Sequence, residues 1–236
     1  MSAIFRRELK AFFLSPVAYV TLAAFYVFSG FFFVFGTIYS DTTDISIVFN
    51  NIFTIIMLTT PLLTMKLLSD DKRQKTDQAL LTAPVSLSGI VFGKFLATFV
   101  VFLAEVAMLF IYAITMAFFA TPEWSTIFGY LLGLTLLGAS MIAIGLFISS
   151  LTESQVIAAV GTMVVGLAFS FLDVIAGQIP AALSFVSSFL TNLSFFTHYN
   201  EFTRGILNIS SVLYFLSIIG VFVFLTTRVL EKKRWS

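Results

Sequence analysis

Apolar runs long enough to cross a bilayer recur along this chain, separated by short polar breaks. About 20 helical residues span the hydrocarbon core. The runs at roughly 16–39, 47–65, 90–119, 127–150, 156–176 and 212–227 therefore predict six transmembrane helices and an all-α membrane protein. Ahead of the first run, residues 2–15 place Ile4, Phe5, Leu9, Phe12 and Phe13 on one helical face and Arg6, Arg7, Glu8 and Lys10 on the other. That pattern predicts a helix lying in the headgroup layer. A signal peptide fits less well, because the apolar run continues far past the length of an h-region with no small-residue cleavage site.

The long polar break runs from Lys66 to Lys94 and carries Lys66, Asp70, Asp71, Lys72, Arg73, Lys75, Asp77 and Lys94. Charge this dense has no place in hydrocarbon, so the segment emerges from the bilayer, and we take 66–89 as a cytoplasmic loop. Leu67, Leu68, Ala79, Leu80 and Leu81 flank its charged middle and Pro84 follows, which predicts a short amphipathic helix around Asp70–Leu81 stopped by proline. Residues 177–211 are a different interruption. Ala181, Leu183, Phe185, Phe189 and Leu193 make them too apolar for an ordinary loop, while Gln178, Pro180, Asn192, His198, Asn200, Glu201 and Arg204 break them too often for a span. Short re-entrant helices between spans five and six, screened by protein neighbours, satisfy both constraints.

Charge then orients the chain. With both termini cytoplasmic, twelve of the 13 Lys and Arg residues fall inside and only Arg204 falls outside, as the positive-inside rule requires. The whole of 1–236 reads as a single transmembrane domain, since no polar segment approaches domain size. Charged residues make up 11% of the chain, against roughly 25% in soluble domains. A net charge of +1 gives no footprint for nucleic acid. With no cysteine and one histidine there is no thiolate nucleophile, no disulfide framework and no paired-His metal signature. No internal repeat is visible, so the inverted-repeat architecture of many secondary transporters gains no support.

Candidate chemistry is sparse. Glu105 stands eleven residues after Lys94, roughly 16 Å along a helix, and so near mid-membrane, where an acid is a functional candidate. A structural reading ties it by hydrogen bond to a polar neighbour such as Ser140 or Thr135. Gly129 and Gly133 form a GxxxG, suited to close contact with a neighbouring span. His198, Glu201 and Arg204 follow at i,i+3 spacing and make a polar patch, either a gate or a structural pairing. A hydrolase is disfavoured with one histidine. Thr152 and Ser154 can cap the fifth span, with Glu153 between them. Gly89–Lys94 misses the phosphate-binding loop: three residues separate the glycines, and Phe95 stands where a hydroxyl is needed.

The segment LLSDDKRQKTDQALLTAPVSLSGIVFGK resembles the cytoplasmic loop of type-2 ABC exporter permeases, through Asp70, Asp71, Arg73, Thr76, Leu80, Leu81, Thr82, Ala83, Pro84, Val85, Ser86, Gly93 and Lys94. FRRELKAFFLSPVAYV, IGLFISSLTESQVIAAV and HYNEFTRGILN with the closing LEKKRW agree in the same order, so the resemblance covers nearly the whole chain. It is nearest to the compact six-span gliding-motility and nitrous-oxide-accessory branch. Where the family shows Gly-Thr-Leu-Glu, this chain reads Lys75-Thr76-Asp77-Gln78. The resemblance implies a multi-pass subunit of the bacterial cytoplasmic (inner) membrane that is not itself an enzyme. It implies pairing with an ABC ATP-binding subunit, which holds ATP and magnesium, and dimerisation with a second copy or a sister permease. It implies partner coupling through Asp70, Asp71, Arg73, Thr76, Gln78, Leu80, Leu81 and Pro84, with Thr152, Glu153 and Ser154 as a second contact. Glu105, His198, Glu201 and Arg204 are candidates for the substrate path. The alternatives are an ion-coupled transporter or channel using Glu105, and a membrane anchor that only recruits a cytosolic protein.

Overall fold

The computed structural model describes residues 2–40, 46–76, 85–118, 123–180, 183–203 and 208–235. Gln78, Leu80, Leu81, Pro84 and Arg204, named above, lie outside the described residues. Among those described, the chain is helical throughout, and six helices are long and apolar enough to cross a membrane: Pro16–Ile38, Ser46–Arg73, Leu87–Ala117, Trp124–Leu151, Gln155–Gly177 and Ile209–Arg234.

Helix α1 (Ser2–Leu14) lays Ile4 and Phe12 into the core, with Ile4 against Gly93. Ser15 then starts α2 (Pro16–Phe33) by accepting the Val17 N–H, with Pro16 in the first turn, where its missing donor costs nothing. A π-helical turn, Val34–Ile38, continues α2. Helices α3 (Ser46–Thr64) and α4 (Ser69–Arg73) follow. Ser86 caps α5 (Leu87–Ala117) through the Gly89 N–H at 3.3 Å. Helix α6 (Trp124–Leu151) leads to α7 (Gln155–Gly177), which Ser154 caps through the Ile157 N–H. Two short helices, α8 (Ser184–Leu193) and α9 (Phe195–Thr203), precede α10 (Ile209–Trp235). The sixth span thus starts earlier than hydropathy placed it. The basic tail of Lys232, Lys233 and Arg234 is its last turn rather than an appendage, favourable for cations at a helix C-terminus.

Helix α6 is the hub and packs on α3, α5, α7, α9 and α10. Its small residues permit this. A β-carbon on Gly138 would stand 2.0 Å from the Phe102 ring of α5, and one on Gly145 would stand 2.2 Å from Thr64 Oγ1 of α3. Gly133 of the GxxxG does meet a neighbour within the chain, but that neighbour is the short α9 at Phe202 and Tyr199 rather than a span. Lipid supplies no hydrophobic drive between helices, so close packing of this kind holds them together.

The two short helices behave differently. Helix α8 has no buried residue. In α9, Phe195, Tyr199 and Phe202 are fully buried, and the Tyr199 hydroxyl donates to the Phe49 carbonyl of α3 at 3.2 Å.

Candidate functional site

The end of the bundle where α3 runs into α4 and α6 into α7 holds a continuous polar network. Its centre is Lys94, in the second turn of α5 and 1% exposed. Its ammonium lies 3.0 Å from Glu8 Oε2 on α1 and 2.8 Å from Asp71 Oδ2 on α4. A buried cation needs such partners, because desolvating it alone costs several kcal/mol. One lysine thereby fixes three elements. Asp71 passes the connection on: its Oδ1 accepts the Thr76 hydroxyl at 3.2 Å.

Helix α4 is positioned from the other side by α6. No local side chain caps it. Instead the Ser149 hydroxyl accepts the Leu68 and Ser69 N–H groups at 3.0 and 2.9 Å. Orphan donors at a helix start need such an acceptor, and here it comes from a residue some eighty positions away. Lys72 Nζ donates to the Ser150 carbonyl. Gln155 Nε2 donates to Asp70 Oδ1 at 2.8 Å, and the same oxygen pairs with Arg73 at 3.3 Å. Thr152 accepts the Ser154 N–H at 3.1 Å. The two stretches marked in the sequence as separate contacts, Asp70–Thr76 and Thr152–Ser154, are held side by side by hydrogen bonds to the residues flanking the second, Ser149, Ser150 and Gln155. Arg73, Gln74, Lys75, Thr76 and Glu153 stand exposed on them. Glu8, Lys94, Ser149 and Gln155 complete the network and are not among the residues assigned to partner coupling from the sequence. Only the charge of the first two was visible in the sequence, not their pairing.

One correction concerns the amphipathic helix. It does not run unbroken from Asp70 towards Leu81. Helix α4 ends at Arg73, and Lys75 takes φ +56°, the left-handed region. An L-residue pays steric strain there, and a helix cannot continue through it. Lys75 occupies the position where the resembling family carries glycine, whose missing β-carbon permits that backbone.

Glu105 is fully buried, as its depth in the third span predicts, but it does not bond to Ser140 or Thr135. Those hydroxyls donate to backbone carbonyls, Ser140 to Leu136 and Phe215, and Thr135 to Leu131. Neither Glu105 oxygen has a hydrogen-bond partner among the described residues. Beside it, the Tyr26 hydroxyl donates to the Ala104 carbonyl at 2.8 Å.

The His198 patch is also rearranged. The ring's Nδ1 lies 2.8 Å from Ser211 Oγ and its Nε2 lies 3.0 Å from the Asn192 carbonyl. The Ser211 hydroxyl donates to Glu201, which also accepts from Asn208 at 2.8 Å. Direct i,i+3 pairing of His198 with Glu201 gives way because α10 inserts Ser211 between them. Serine, histidine and acid do meet, but with the serine in the middle and fully buried. A hydrolytic triad needs the histidine there. Glu105 is not alone as an acid within a span, since Asp173 sits in α7. Among the described residues no group of three His, Cys, Asp or Glu could hold a metal ion.

Residues 41–235 match the model of a family described as ABC-2 family transporter protein. No curated protein matches the chain.

Proposed function

The chain belongs to the ABC-2 family of transporter proteins, and from that premise we propose that it is the membrane-spanning permease subunit of an ATP-driven exporter of the bacterial cytoplasmic membrane. It is a multi-pass membrane protein. In the reading proposed, both termini and the Lys94 network face the cytosol, α1 lies in the headgroup layer, and α8 and α9 dip in from the outer side. A separate ABC subunit binds ATP and magnesium. Two permeases, identical or sister chains of the gliding-motility or nitrous-oxide-accessory kind, complete the path.

The observation that carries this is that Asp70–Thr76 is held beside Thr152–Ser154 through Ser149, Gln155 and Lys72. A surface that must transmit a rigid-body motion works best as one unit bonded to several spans. This one is bonded to α1, α3, α5, α6 and α7. Its exposed Arg73, Lys75 and Glu153 offer register-fixing charges to a partner. Gln78, Leu80, Leu81 and Pro84 extend the proposed contact beyond the described residues.

The test is purification from the native host in mild detergent. A stoichiometric ATP-binding subunit is expected with the unaltered chain and not with the exposed-charge variant Arg73→Glu, Glu153→Lys, at equal melting temperature. A chain that comes out alone and without ATPase activity in several detergents overturns the reading. The ion-coupled alternative has one observation in its favour, the partnerless carboxyl of Glu105. Flux driven by a proton or cation gradient without nucleotide is its signature.

A further inference from the structure

At the end of the bundle opposite Lys94, a cavity of about 260 Å³ opens between α3 and α7. Its polar wall is made by Asn50, Thr54 and Asp173. Asp173 Oδ1 is buried with no hydrogen-bond partner among the described residues, and Asn50 and Thr54 are exposed beside it. Ser170 also lines the cavity, but its hydroxyl is committed to the Gly166 carbonyl at 2.9 Å. The rest of the wall is apolar, with Phe53, Phe171 and Phe196 among it.

We propose that this cavity binds the primary ammonium end of an amphiphile, with Asp173 as counter-ion. Among the described residues Asp173 is the one charged group on the wall, so the site selects a cation and rejects an anion. A primary ammonium has three N–H donors and no acceptor. Asp173, the Asn50 carbonyl and the Thr54 hydroxyl are three acceptors on one wall. A partnerless acid within a span is costly, and the ammonium removes that cost. Depth agrees: Asn50 is four residues from the start of α3 and Asp173 four from the end of α7, each about 6 Å of helix. The charge therefore sits one turn inside the bundle's end, with apolar wall around it. Volume sets the size of what enters. Ligand pockets usually enclose about 300–1,000 Å³, so this one takes the head and first carbons of a chain rather than a whole drug-sized molecule. Assigning the occupant as cargo rests on the exporter reading; binding itself does not.

The experiment uses the full chain in phosphatidylcholine nanodiscs without nucleotide, photolabelled with a diazirine-bearing dodecylamine and read by mass spectrometry on α3 and α7. Labelling near Phe53 and Phe171 is expected, displaced at least tenfold better by dodecylamine than by dodecanol or dodecyltrimethylammonium. Asp173→Asn should abolish that preference and Asp173→Glu should keep it. Equal displacement by the alcohol, or an unchanged preference in Asp173→Asn, overturns the site. If Asp173→Asn does not fold, Asn50→Ala with Thr54→Val decides: loss of the primary-over-quaternary preference supports the assignment, and its retention refutes it. Added phosphatidylethanolamine separates the two sources of such an amine. Protection by it marks a lipid headgroup as occupant, and lack of protection marks a free amine. Failure here leaves the ATP-subunit test untouched.

Discussion

At the residue scale, Lys75 and Glu105 are held against their preferences. Lys75 adopts φ +56°, which costs an L-residue roughly 1–2 kcal/mol, while glycine adopts it freely at an entropic cost of about 0.5–1 kcal/mol. Lys75→Gly should therefore be neutral or stabilising by up to about 1 kcal/mol. Lys75→Val should lose more than that, since β-branched residues strongly resist positive φ. Thermal unfolding in detergent checks both, and a valine variant as stable as the parent would refute the strain. Glu105 keeps both oxygens unpaired among the described residues at full burial. A neutral amide retains its shape without the chance of charge, so Glu105→Gln should fold normally and, in the proposed complex with an ATP-binding subunit, keep substrate-stimulated ATPase within a few-fold. Complete loss with normal assembly would move Glu105 into the transport path.

At the element scale, the Lys94 triad decides how α1, α4 and α5 move together. Glu8 and Asp71 keep 12% and 20% of their side chains open to water and Lys94 keeps 2%. Breaking a buried pair costs about 3–5 kcal/mol, and that partial opening puts the expected loss for Lys94→Met nearer the bottom of the range, with faster proteolysis at Arg73 and Lys75. Combining it with Glu8→Gln and Asp71→Asn should recover most of the loss, because the damage comes from two acids left without their cation. A triple variant no better than the single would show that the loss does not come from the stranded acids.

These elements also separate what the sequence reveals from what it hides. The spans follow from apolar length, and the cap at Ser154 from its place before an apolar run. The pairings that build the site are long-range: Ser149 reaches Ser69 across the fold, and Ser211 enters the His198 patch from α10. Local spacing holds no trace of such contacts, which is why the i,i+3 reading of His198 and Glu201 missed the intervening serine. The break at Lys75 is local, yet lysine does not announce a left-handed backbone as glycine does.

At the scale of the whole molecule, the fold gathers separate basic segments at one end of the bundle. Arg7, Lys66 and Lys94 line one cavity of about 290 Å³ between α1, α3, α4 and α5, Lys72 reaches the end of α6, and Phe147 against Phe222 brings the C-terminal part of α10 alongside it. Carrying one such charge across hydrocarbon costs at least about 2.5–3.5 kcal/mol, and basic residues near span ends stay on the cytoplasmic side. The orientation proposed above therefore puts this end inside as a whole, since a mixed orientation would strand several cations at once. The chain contains no cysteine, so single substitutions report sidedness without background. Thr76→Cys and Glu153→Cys, both at exposed positions, should react with a membrane-impermeant maleimide only after the cells are opened. Tyr39→Cys and Gln178→Cys, exposed at the far end, should react in intact cells. Labelling of Glu153→Cys from outside would invert the topology and remove the Asp70–Thr76 surface from reach of any cytosolic ATPase.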